Sequence, residues 1–66
     1  MKMQINAGEL QDWMRDTWQV YASQYTRGSL LRFWVNGLSE YRVIFGEDIL
    51  YEGSQMTHAI AAWDSI

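Results

Sequence analysis

Residues 30–53, LLRFWVNGLSEYRVIFGEDILYEG, decide how this chain folds. They hold three short runs rich in β-branched and aromatic residues, at 30–35, 41–45 and 49–52, separated by turn signals. Asn36-Gly37 is a strong hairpin dipeptide, and Gly46-Glu47-Asp48 supplies the second reversal. Runs this short, reversing this quickly, predict a three-stranded antiparallel meander.

Successive side chains of a strand point to opposite faces. Strict alternation gathers Leu31, Phe33, Val35, Tyr41, Val43, Phe45 and Leu50 into the richer apolar set, assigned to the core. Leu30, Arg32, Trp34, Arg42, Ile44 and Tyr51, with Ile49 at the margin, form the outer set. A one-residue slip in register would exchange the two faces.

On the N-terminal side, residues 7–25 read as a helix. Asn6 is a good N-cap, Glu9 completes the capping-box spacing, and Ile5 and Leu10 stand at hydrophobic-staple positions. Leu10, Met14, Thr17, Trp18, Tyr21 and Tyr25 follow spacings of three and four, with Trp13 and Val20 beside the stripe. Gly28, next to Arg27, reads as the helix stop. On the C-terminal side, Gly53 ends the sheet and Ser54 is the expected N-cap of a second helix. Met56, Ala59, Ile60, Trp63 and Ile66 form its apolar stripe. The whole is an α+β, two-layer αβββα domain spanning residues 1–66, with both helices on one sheet face.

A chain of 66 residues supports one domain, and one this small needs help to stay folded. It has no cysteine for a disulfide and a single histidine, too few thiol and imidazole groups for a structural zinc site. Four tryptophans, four tyrosines and two phenylalanines fill that need instead. Trp18 and Trp63 are expected in the core, whereas Trp34 falls on the outer face. The first ten residues lack a basic segment leading into an apolar one, and no apolar run approaches bilayer length. A cytoplasmic protein without membrane contact is therefore expected.

Little here carries chemistry. His58 has no nucleophile or orienting carboxylate at a useful helical spacing, and reads as a surface residue. Glu47 and Asp48 read as a solvated turn. No P-loop, dinucleotide fingerprint, C-x-x-C or nucleophile elbow is present. No catalytic residue, metal or cofactor is expected. Trp34, Arg32, Arg42, Ile44 and Tyr51 form the candidate partner-binding set, because Trp, Tyr and Arg are enriched at binding hot spots.

The sequence thus points to a small non-enzymatic protein-binding accessory or inhibitor module. Compact acidic chains of this size are common among phage and mobile-element proteins, including inhibitors of host defence. Two alternatives stand beside it. One is single-stranded nucleic-acid binding on the open sheet face, which a net charge of −3 disfavours. The other is a homodimer in which the chain is its own partner.

Overall fold

The computed structural model describes residues 3–12, 17–37 and 39–66. It is an α+β domain: α1 (Ala7–Asp12), β1 (Gln19–Thr26), β2 (Ser29–Asn36), β3 (Glu40–Phe45), β4 (Asp48–Gly53) and α2 (Met56–Asp64). The strands form one open antiparallel sheet in the order β1-β2-β3-β4, so the meander has four strands rather than three. Among the described residues, no helix is long and apolar enough to cross a membrane.

The additional strand falls within the span of the expected N-terminal helix, since residues 19–26 are extended and pair with β2. Arg27 (φ 52°) and Gly28 (φ 81°) occupy the two central positions of the intervening turn, and both have positive φ. That is the type I′ turn, whose twist suits a two-residue hairpin. Gly28 is therefore a hairpin residue and not a helix stop. At the next reversal but one, Gly46 (φ 62°) takes the glycine position of a type II′ turn between Phe45 and Asp48.

The helical spacing of Trp18, Tyr21 and Tyr25 has a local cause. Val20 pairs with Trp34 and Ala22 with the next residue back, Phe33, leaving Tyr21 as a β-bulge. The extra residue breaks the period of two. Tyr21 and Ala22 both serve the core, and Tyr25 is 78% exposed. A second bulge has the same effect in β4, where Ile49 pairs with Ile44 and Tyr51 with Val43, leaving Leu50 over. Leu50, assigned inward by alternation, is exposed, and Tyr51 turns inward instead.

The remaining inward set is as the alternation has it. Leu31, Phe33, Val35, Tyr41 and Val43 are buried, and Phe45 packs against them. Both helices lie on this side. Leu10 of α1 and Ala59 and Trp63 of α2 belong to the same cluster. Phe33 stands at its centre, edge-on to Tyr21, Tyr41 and Trp63 at centroid distances of 6.0, 6.3 and 6.2 Å. The Trp63 indole N–H donates to the Met3 carbonyl at 2.7 Å, and the Met3 N–H donates to Gln24 Oε1. Residues 3–6 are thus tied across the core between α2 and β1.

The caps agree in part with the sequence reading. Asn6 Oδ1 accepts from the N–H groups of Gly8 (3.0 Å) and Glu9 (3.1 Å), as an N-cap does. The Tyr21 hydroxyl donates to Glu9 at 3.1 Å and joins β1 to α1. Burial first, then that carboxylate, pushes the Tyr21 phenol above its ordinary pKa. At α2 the N-cap is Gln55, not Ser54, and it makes no side-chain cap. Its N–H instead donates to the Tyr51 hydroxyl at 2.9 Å, so inward-turned Tyr51 takes over part of the capping. Trp13 and Met14 lie outside the described residues.

Two stability measurements check this account. Trp63→Ala should cost about 3–5 kcal/mol in urea unfolding, since it empties the core and frees residues 3–6. Gly28→Ala should cost about 1–2 kcal/mol through backbone strain alone, because a Cβ there meets nothing within 4 Å.

Candidate functional site

The face opposite the helices is built by cross-strand neighbours. Trp34 lies between Val20 and Arg42, and Arg42 is followed by Glu52. One row along, Arg32 lies between Ser23 and Ile44, and Ile44 is followed by Ile49. Val20, Arg32, Trp34, Arg42 and Ile44 are half-buried, whereas Ser23, Glu52 and Ile49 are exposed, Ile49 to 59%. A sheet covered on one side normally shows polar side chains on the other. This one shows tryptophan, arginine and aliphatic residues.

Two guanidinium groups organise it. Arg42 lies over the ring of Trp18, with Cζ 4.4 Å from the centroid, and Arg32 lies near that of Trp34 at 5.5 Å. Such cation–π contacts are worth about 0.5–1 kcal/mol at exposed sites and more when desolvated. Arg42 Nε also sits 2.5 Å from Glu52 Oε2. The contact is an ion pair and not a hydrogen bond. With both side chains partly exposed, the pair adds no more than about 1 kcal/mol.

Two other polar groups of the face find no partner among the described residues. Trp34 Nε1–H and Arg32 Nε–H are both shielded from solvent, and neither has an acceptor among the described residues. A buried donor left unpaired costs about 1–3 kcal/mol.

Of the five residues singled out from sequence, the structure brings Arg32, Trp34, Arg42 and Ile44 together. Tyr51 is a correction. The Leu50 bulge carries it to the opposite face, where it packs on the core and meets the His58 ring edge-on at 6.1 Å. Trp18 is corrected in the other direction, since it covers Arg42 on the outer face instead of filling the core. Val20, Ile49 and Glu52 complete the set. Reading residues 19–26 as a strand would have found Val20, but nothing local signals that Glu52 follows a bulge.

Elsewhere the chemistry is sparse. His58 is exposed on α2. An open groove beside residues 3–9 is lined by Gln4, Ile5, Asn6 and Glu9, with Glu9 already held by Tyr21. No three His, Asp or Glu side chains converge among the described residues.

A double-mutant cycle on Trp18→Leu and Arg42→Met should give a coupling of about 0.5–1 kcal/mol by thermal unfolding. No protein-family model matches the chain, and no curated protein or solved structure resembles it at a significant level.

Proposed function

We propose that this chain is a small non-enzymatic protein-binding module, an accessory or inhibitor that acts by occupying a partner's surface with the open face of its sheet. It works in the cytoplasm, and a phage or mobile-element origin suits its size and acidity. The observation that carries the reading is Trp34. It sits centrally in a face of arginine and aliphatic side chains, and its shielded indole N–H lacks an acceptor among the described residues. Tryptophan and arginine near the middle of a patch are the usual anchors of protein interfaces. Contiguous apolar surface on a small chain generally marks a contact site.

A nucleic-acid platform is the weaker reading of this face. Base stacking requires open aromatic rings. Here Arg42 lies over the Trp18 ring and Arg32 near that of Trp34. Arg42 is moreover paired with Glu52, which leaves few charges for phosphate.

Affinity capture from the native host, followed by titration of the captured protein, tests the proposal. Trp34→Ala should weaken binding at least tenfold, about 1.4 kcal/mol. It should cost less than about 1 kcal/mol of fold stability, because removing the unpaired N–H offsets lost packing. A captured partner that binds wild type and Trp34→Ala equally would remove the proposal.

A further inference from the structure

The overall charge of −3 suggests a basic partner, but the open face suggests the opposite. We infer that the outer face takes an acidic, apolar protein segment, with Arg32 gripping a carboxylate of the partner beside Trp34. This rests on the reading of the face as a protein-binding surface and specifies what it binds.

The charge arrangement carries the argument. Among the described residues, Arg32 makes no ion pair and no hydrogen bond, and its only polar contact is with the Trp34 ring. Two described acids of β3 and β4 are committed elsewhere. Glu52 is held by Arg42, and Glu40, at the end of the sheet, accepts from the Asn36 amide at 2.9 Å. Arg32's own neighbours are Ser23, Trp34, Leu30 and Ile44, none of them charged. An uncompensated guanidinium in half-apolar surroundings is where an added carboxylate gains most. The local dielectric is low, and a planar fork matches a carboxylate's two oxygens.

The shielding sets the geometry. Because Arg32 Nε is inaccessible, the grip is end-on, through the two terminal nitrogens. Drawing the guanidinium outward loosens its contact with Trp34. An acceptor on the partner, such as a backbone carbonyl, can then reach the indole N–H. Val20, Ile44 and Ile49 provide the apolar ground for the residues flanking the acid. A second copy of the chain fits poorly, since face-to-face docking brings one uncompensated Arg32 towards another.

A random dodecapeptide library displayed on phage tests this, selected on the folded chain and counter-selected on Trp34→Ala. The expected result is Trp34-dependent peptides enriched in Asp or Glu next to aliphatic residues. The synthetic peptide should shift the Trp34 indole proton in NMR, bind at least tenfold more weakly to Arg32→Glu, and lose less on Arg32→Lys. Trp34-dependent peptides that are neutral or basic would overturn the acidic specificity and leave the protein-binding face standing. No Trp34-dependent peptide at all would overturn both. Arg32-dependent binding of a dT12 oligonucleotide that exceeds peptide binding would replace the protein segment with nucleic acid.

Discussion

The fold depends on what surrounds the ring of Phe33. A chain this short, with neither disulfide nor zinc thiolates, must concentrate its apolar burial. It does so by bringing the edges of Tyr21, Tyr41 and Trp63 around one phenylalanine in β2. Each such pair adds about 0.5–1.5 kcal/mol beyond the area it buries. The three partners come from β1, β3 and α2, so one residue couples both layers. The N-terminal segment joins through buried Ile5 and through the bond between Trp63 and Met3.

With the core satisfied on one side, the tryptophans divide by role. Trp63 is buried and hydrogen-bonded. Trp18 and Trp34 stand on the other side, each associated with an arginine, and add nothing to the Phe33 cluster. An indole N–H and a guanidinium that are shielded or half-buried and find no partner among the described residues reduce stability. Such groups are what binding surfaces retain in place of a better-satisfied alternative.

The core strands were readable in the sequence because β2 and β3 keep an unbroken period of two. Alternation there placed Leu31, Phe33, Val35, Tyr41 and Val43 inward and Arg32, Trp34, Arg42 and Ile44 outward. Where the reading failed, a bulge had changed the phase. The extra Tyr21 made a strand resemble a helix, and the extra Leu50 exchanged the sides of Leu50 and Tyr51. A bulge is a property of the pairing between two strands, so a single run of residues does not reveal it. Gly28 carries a similar ambiguity, since left-handed glycine ends helices and turns hairpins equally well.

Both bulges lie in β1 and β4, the two outermost strands of the sheet. An open sheet leaves a row of unpaired backbone groups along each border, which invites further strands to add on. An extra residue twists such a border away from the flat geometry that addition needs. The irregularities that disguise the strands thus also guard the domain against sheet-by-sheet growth. β2 and β3, which make the middle of the sheet, carry no such irregularity and pair residue for residue.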